Sequence, residues 1–457
     1  MTRYDAIVIG AGQAGPSLAV RLADAGRRVA LIERHKLGGT CVNTGCTPTK
    51  TFVASAYVAH LCRRAADFGV AVEGATRIDM KQVKARKDAV VNASVGSLER
   101  WLHERPNLDL HWGHARFVGP RTVAVGDLQL EAGQIFINVG GRPSVPELPG
   151  VDSVPYLDSD AMMNIDTLPA HLIVVGGSYV GLEYAQMFRR FGSEVSVVEM
   201  GPRLIGREDA EVSDAVADIL RDEGIAIRTQ AKCVALHRAG EGVAVSVDCA
   251  EGAPKVEGTH VLLAVGRTPN TDDLGLDRAG IEVNERGFID VNDQLETTQH
   301  GVYALGDCNG RGAFTHTAYN DYEVVADNLL GKGLRSVKDR VSCYGLFIDP
   351  PLGRVGMSES EARQAGHKLL IGRRPMSRVA RAREKSETQG FIKIVVDAES
   401  NRILGAAILG LSGDEVVHSL LDAMYAKLPY TAVRRGVRIH PTVSELIPTV
   451  LGELSPA

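Results

Sequence analysis

Ala6-Ile7-Val8-Ile9-Gly10-Ala11-Gly12-Gln13-Ala14-Gly15 is the stretch on which the fold turns. Four apolar residues read as a buried strand, and the glycine pattern after them reads as a tight turn opening a helix. That helix is expected to run to about Ala25. Gly26 stops it, and a second strand, Val29–Ile32, ends at Glu33. The first glycine makes the turn, the second lets the backbone approach a pyrophosphate, and the third lets helix and strand pack closely. The pyrophosphate sits on the positive helix N-terminus. The acid after the second strand accepts hydrogen bonds from the adenosine ribose. Pro16 falls near the first helical position, where its missing N–H costs nothing.

The unit occurs twice. Leu172–Val175 leads into Gly176-Gly177-Ser178-Tyr179-Val180-Gly181, then a helix to about Phe191, a stop at Gly192 and a strand, Val195–Val198, ending at Glu199. In both copies the first glycine precedes the helix-ending glycine by 16 residues and the acid by 23. One such motif is weak evidence. Two that agree down to the helix stop and the terminal acid point to two dinucleotide sites. Ser178 takes the middle glycine position, so nucleotide contact is expected to be looser there.

Outward from these units, Ile135–Val139 reads as a buried strand breaking into Gly140-Gly141-Arg142-Pro143. Val261–Val265 followed by Gly266-Arg267-Thr268-Pro269 repeats that ending, and Gly301–Asp307 is another buried strand closing on Gly-Asp. From about Lys338 the pattern changes to strands at Ile392–Val396 and Ile403–Leu409 and a helix near Asp414–Ala426. The expected fold is α/β, with two Rossmann-like (βαβ) nucleotide-binding domains and a C-terminal α+β domain. The first nucleotide domain is expected to be split, 1–145 and 271–337, around the second at 146–270. The third domain spans 338–457.

The 457 residues carry 49 glycines, 44% apolar residues and a net charge of −5. Glycine-rich turns suit such a fold. The balance excludes a nucleic-acid footprint, which needs clustered bases. The one basic stretch, Arg373–Arg383, reads as a solvated segment or an interface. No apolar run approaches the roughly 20 residues of a membrane helix. A strand begins almost at the N-terminus, which leaves no space for a signal peptide. The expected location is cytoplasmic.

Gly38-Gly39-Thr40-Cys41-Val42-Asn43-Thr44-Gly45-Cys46-Thr47-Pro48-Thr49-Lys50 is the most specific segment. On a regular helix, five residues rise about 7.5 Å, whereas disulfide Cα atoms lie roughly 4.4–6.8 Å apart. A reversible Cys41–Cys46 bridge therefore needs a distorted turn, which Gly45 permits. A helix starting near Pro48 would lower the Cys46 pKa. Two free buried cysteines, or half of a metal site, are the alternatives. A zinc site usually needs a second cysteine pair, and Cys62, Cys233, Cys249, Cys308 and Cys343 are scattered. No metal site is expected, and those five read as small core residues. Near the C-terminus, Pro441 is expected to begin a helix from which Glu445 reaches back to His440. Such a pair could move a thiol proton.

Together these residues resemble the class I pyridine nucleotide-disulfide oxidoreductases, a family that includes glutathione reductase, dihydrolipoamide dehydrogenase and mercuric reductase. The resemblance runs in order along the whole chain. It implies FAD in the first site, NADH or NADPH in the second, and a C-terminal domain that makes a homodimer. Carried onto this sequence, it implies FAD contacts from Gly10, Gly12, Gly15, Glu33, Gly39, Thr40, Lys50, Ala115, Asp307 and Thr315. Gly176, Gly181, Glu199 and Gly266 would contact the nicotinamide nucleotide. Lys50 would sit by the flavin paired with Glu183, and Tyr179 would gate the nicotinamide face. Cys46 would face the flavin, Cys41 would meet substrate, and His440 with Glu445 would serve the partner's cysteines. Gly39–Lys50, Pro350–Gly356 and Leu428–Tyr430 look most like the mercuric-reductase-like branch, and within it the reactive-chlorine-resistance type linked to copper(II) and hypothiocyanous acid. Leu451–Ala457 lacks the vicinal cysteines that deliver Hg(II). The implied reaction carries electrons from NAD(P)H through FAD and the cysteine pair to a small oxidant, a metal ion (Hg or Cu) or a disulfide. Glu199 would repel a 2′-phosphate and favour NADH, though Arg203 and Arg207 lie close in sequence. Dihydrolipoamide dehydrogenase or a glutathione-reductase-like enzyme is the alternative. A flavin-bound sensor without turnover is a third reading.

Overall fold

A computed structural model describes residues 1–248, 255–331 and 333–457. The opening strand, Thr2–Ile9, lies between Val29–Glu33 and Leu128–Ile137 in a parallel sheet, with Leu108–Trp112 at the edge. Val29–Glu33 is buried throughout, as a strand covered on both faces must be. Thr122–Val125 and Ala115–Gly119 extend the sheet antiparallel from the early half of Leu128–Ile137. Its late half pairs in parallel with Val302–Ala304, Ile135 facing Val302. The chain thus returns to its first sheet after the second nucleotide unit.

That second unit is a four-stranded parallel sheet in the order Ala226–Arg228, Glu194–Val198, His171–Val175, His260–Leu263. Lys232–Ala239, Gly242–Asp248 and Lys255–Gly258 form an antiparallel sheet beside it. The two similar endings, Gly141-Arg142-Pro143 and Gly266-Arg267-Thr268-Pro269, meet. Gly141–Pro143 and Arg267–Pro269 pair antiparallel, with Arg142 opposite Thr268. The connections into and out of the second unit therefore run side by side.

The C-terminal part is a six-stranded sheet in the order Cys343–Leu346, Leu352–Gly356, Ile403–Leu409, Phe391–Asp397, Leu369–Pro375, Ser455–Pro456. Phe391–Asp397 is buried along its whole length. Arg373 reaches Glu211 at 3.0 Å and Arg374 reaches Glu453 at 3.3 Å. The start of the basic stretch is thus ion-paired, Arg373 with about half its side chain still exposed and Arg374 largely covered.

The helix Tyr179–Phe191 joins the three parts. Glu183, Gln186 and Arg190 fall on one face, at the three- and four-residue spacings of a helix. Glu183 Oε1 accepts the Phe347 N–H at 3.1 Å. Gln186 exchanges two 2.7 Å bonds with the Asp349 backbone. Arg190, itself buried, bonds Asp349 and Glu223 at 2.7 Å each.

Several local expectations need correction. The helix expected near Asp414–Ala426 is two, Gly413–Val416 and His418–Tyr425. Pro441 does not begin a helix. Residues 440–443 bend, a 3₁₀ turn covers Ser444–Leu446, and the helix starts at Ile447. Of the remaining cysteines whose side chains are described, Cys308 is a core residue, while Cys62 and Cys343 are half-buried. The Cys233 side chain and Cys249 lie outside the described residues. Among the described residues, no helix is long and apolar enough to cross a membrane.

Candidate active site

The two glycine motifs repeat each other atom by atom. A Cβ on Gly10 would fall 2.3 Å from Asn138 O, and one on Gly176 would fall 2.3 Å from Ala264 O. A Cβ on Gly15 would meet Gly10 O at 2.1 Å, and one on Gly181 would meet Gly176 O at 2.1 Å. Both turns are therefore closed to any side chain. Glu33 accepts the Ala11 N–H and the His35 N–H, each at 2.8 Å. Glu199 accepts the Gly177 N–H and the Gly201 N–H, each at 2.6 Å. In both copies the acid is held by the amides 22 residues before it and two after it. Its carboxylate is fixed at the strand end, where a ribose hydroxyl would donate.

The first motif opens into a cavity of about 1190 Å³ lined by Gly10, Gly12, Glu33, Thr40, Lys50 and Asp307, among others. This exceeds the roughly 300–1,000 Å³ of a drug-sized pocket and suits a dinucleotide. Gly12 and Gly39 form its narrow wall: a Cβ on Gly39 would lie 2.8 Å from Gly12 Cα. Gly39, Ala115 and Thr315 also line the cavity, as do Cys41, Cys46, Tyr179 and Glu183. The residues present fit an FAD-sized group. Gly15, Gly176, Gly181, Glu199 and Gly266 do not line it. Gly15 packs against Gly10 O, and of the second motif only Tyr179 and Val180 line the cavity.

The cysteine segment breaks as its spacing requires. One short helix, Gly39–Asn43, carries Cys41, and a long one, Cys46–Arg64, begins at Cys46. Gly45 lies between them, and a Cβ there would fall 2.9 Å from Thr40 O. Both thiols are free. Cys46 Sγ lies 3.4 Å from Thr315 Oγ1, and Thr315 opens the helix Thr315–Leu330. Two long helices therefore aim their positive ends at one sulfur. A hydrogen bond from Cys41, with help from Thr315 and Lys50, lowers the Cys46 pKa to about 6. The Cys41 thiol is pushed far the other way, by its bond to Cys46 and by burial. The pair holds one thiolate, and it sits on Cys46.

Lys50 Nζ bonds Glu183 Oε2 at 2.7 Å and stands 4.6 Å over the Phe347 ring. Burial pushes the Tyr179 hydroxyl up to about 12. His440 Nδ1 lies 2.8 Å from Glu445 Oε2. A carboxylate only accepts, so Nδ1 donates in this bond and Nε2 is the ring nitrogen left to face a reacting group. This pair is not among the cavity-lining residues of its own chain. It sits instead beside Val437 and Ile439, which are 95% and 80% exposed.

Sequence reasoning missed several cavity residues. Asp160 lines the cavity, and burial raises its pKa. Arg267 bonds Thr40 at 3.2 Å and lies 4.0 Å from Asp307. Its Gly-Arg-Thr-Pro ending, similar to the one at Gly141–Pro143, was a signal that carried no hint of a place in the cavity. Phe314, Tyr344 and Phe347 had no local signal.

A family profile described as pyridine nucleotide-disulphide oxidoreductase matches residues 4–321. The profile of that family's dimerisation domain matches residues 343–451. A probable pyridine nucleotide-disulfide oxidoreductase, RclA, of Escherichia coli is 38% identical over 97% of this chain and 98% of its own. A dihydrolipoyl dehydrogenase of Thermus scotoductus is 34% identical over 97% and 96%. A mercuric reductase of Lysinibacillus sphaericus is 32% identical over 95% and 82%. Among solved structures, a Cu(II) complex of the HOCl-induced flavoprotein disulfide reductase RclA of Escherichia coli superposes with a TM-score of 0.90. It is 37% identical and is covered over 99% of each chain.

Proposed function

The chain belongs to the pyridine nucleotide-disulphide oxidoreductase family, and from that premise we propose that its Cys41–Cys46 pair delivers electrons from NADH to a small thiol-reactive oxidant, Cu(II) or a disulfide. The observation that carries this reading is the lowered pKa of Cys46 beside the protonated Cys41, in a cavity that also holds Lys50, Glu183 and the first glycine motif.

FAD, when bound, would take two electrons from the nicotinamide and pass them to the cysteine disulfide. Gly10, Gly12, Gly39, Thr40 and Glu33 would hold it through its pyrophosphate and ribose, with Ala115, Asp307 and Thr315 further along the cavity. Lys50, oriented by Glu183, would present a fixed positive charge to it. Gly176, Gly181, Gly266 and Glu199 would bind the nicotinamide nucleotide. Cys41, once deprotonated, attacks a disulfide substrate and releases one thiolate. Cys46 then attacks Cys41, closes the internal disulfide and releases the second thiolate. With Cu(II), closing the same bond reduces two Cu(II) to Cu(I) and frees the Cys41 proton. His440 of the partner subunit, oriented by Glu445, is the base for Cys41 and the acid for the leaving thiolate. Exposed His440 outside its own chain's cavity supports a composite site in a homodimer.

NADH is favoured over NADPH. Glu199 is pinned by two amides at the strand end, and a 2′-phosphate there would meet its charge. Arg203 is 3.2 Å from Asp214, so its charge is already paired.

One steady-state panel tests the whole reading: NADH and NADPH, each against oxidised glutathione, lipoamide, Hg(II), Cu(II) and hypothiocyanous acid. The expected result is NADH oxidation fastest with Cu(II) or hypothiocyanous acid. Fastest turnover with the lipoamide couple would instead assign the chain to dihydrolipoamide dehydrogenase, a reading the Thermus relative favours.

A further inference from the structure

Tyr179 opens the helix of the second glycine motif and also lines the cavity that holds Cys46 and Lys50. Tyr179 thus belongs both to that motif and to the cavity wall. Three aromatic rings meet at this point. Tyr179 stands edge-on to Tyr344 at 5.3 Å and to Phe314 at 6.3 Å, and Phe314 stacks on Tyr344 at 5.7 Å.

Tyr344 is held from behind. Its hydroxyl donates to Glu208 Oε1 at 2.6 Å. Glu208 Oε2 lies 3.3 Å from Arg354 Nε, and both side chains are almost fully buried. Arg354 is itself anchored on Ala406 O at 2.9 Å and Val355 O at 3.0 Å. The next residue, Asp209, accepts from the buried Lys393 at 3.0 Å. The loop that bears Glu208 is therefore fixed at adjacent positions by two buried cations of the C-terminal sheet. Tyr179 has no such anchor. The Tyr344 hydroxyl proton is committed to Glu208 and is not available to Tyr179. No hydrogen bond reaches the Tyr179 hydroxyl among the described residues.

We infer that Tyr344, held by Glu208 and Arg354, is a positioning residue that keeps Tyr179 across the nicotinamide path. This rests on the assignment of the second motif to NAD(P)H. A fixed wall facing a ring held only by packing makes a gate with one rigid side. Its closed state competes with nucleotide entry, and a ligand that needs the open state binds more weakly by the open fraction.

The test uses the FAD holoenzyme and the variants Tyr344→Phe, Tyr179→Ala and the double. NAD⁺ and NADP⁺ are each titrated by calorimetry into oxidised protein, and flavin content is checked spectroscopically. Tyr344→Phe removes one hydroxyl and should tighten binding of the preferred nucleotide about three- to tenfold, the factor one hydrogen bond is worth. In the Tyr179→Ala background the same change should leave the dissociation constant unaltered, since coupled residues are non-additive. Weaker or unaltered binding in Tyr344→Phe overturns the inference, as does an equal change in both backgrounds. If the unaltered holoenzyme binds neither nucleotide, the assignment of the second motif has failed instead.

Discussion

The Lys50 ammonium stands 2.7 Å from Glu183 Oε2, with the carboxylate buried and the ammonium about a third exposed (34%). The other Glu183 oxygen accepts the Phe347 N–H at 3.1 Å. One carboxylate thus links a residue of the cysteine helix to the C-terminal part of the chain.

Glu183→Ala removes the acceptor from both donors. It should destabilise the holoprotein by about 1.5–3 kcal/mol, toward the low end because water reaches Lys50. Glu183→Gln keeps one acceptor oxygen, enough for Lys50 or for the Phe347 N–H but not for both, and should lose less than the alanine variant. Urea denaturation followed by circular dichroism measures the difference. Equal midpoints for the alanine variant and the unaltered protein would remove this link from the account.

Cys46 should be a thiolate well below the ordinary thiol range. In reduced protein its alkylation by iodoacetamide should rise with pH through a midpoint of about 6. The sign follows from the direction of the shift. Its contribution to stability is complete above the ordinary thiol pKa of about 8.5 and is lost as pH falls through the folded value. Cys41→Ala removes the largest cause and should move the midpoint upward, and Thr315→Val should move it upward by less. A midpoint that stays put in Cys41→Ala would refute the hydrogen bond as the cause.

The repeated glycine clashes separate the two nucleotide sites. Gly15→Ala drives a Cβ to 2.1 Å from Gly10 O, and the protein should purify without flavin. Gly181→Ala makes the same clash in the second unit. It should keep its flavin and weaken NADH binding about tenfold or more, as overpacking of 1–3 kcal/mol implies. Absorbance at 450 nm and calorimetry with NAD⁺ distinguish the two. Loss of flavin in Gly181→Ala would contradict the assignment.

His440 should act on the other subunit. Cys46→Ser and His440→Ala homodimers should each be inactive. Mixed one to one and allowed to exchange, they should regain about one quarter of full activity, because half the two-fold dimers carry one complete site. No recovery, with exchange verified by tagged subunits, would put His440 to work within its own chain.

Both glycine motifs, their helix stops and their acids were legible because each lies within a run of about 25 residues. A tight turn, a helix N-terminus and a strand end are local consequences of residue type. The broken helix between Cys41 and Cys46 was legible for the same reason: five residues, one glycine and a fixed helical rise. The start of the helix after Pro441 was misread, because the bend at residues 440–443 follows the packing of Val443 and Ile447 in the C-terminal core, which no local signal announces.

What the chain's order of residues decided, then, is the pair of nucleotide units, the acid at the end of each, and the position of the redox cysteines beside the first. Tertiary structure decided the rest. Thr315 reaches Cys46 across 269 residues, Glu183 reaches Lys50 across 133, and Glu208 reaches Tyr344 across 136. Such contacts depend on how separate elements pack, and packing is set by the summed burial of many side chains. The asymmetry of the two thiols draws on both: its largest cause is the bond from Cys41 within the local segment, and Thr315 adds to it only once the separate elements pack together.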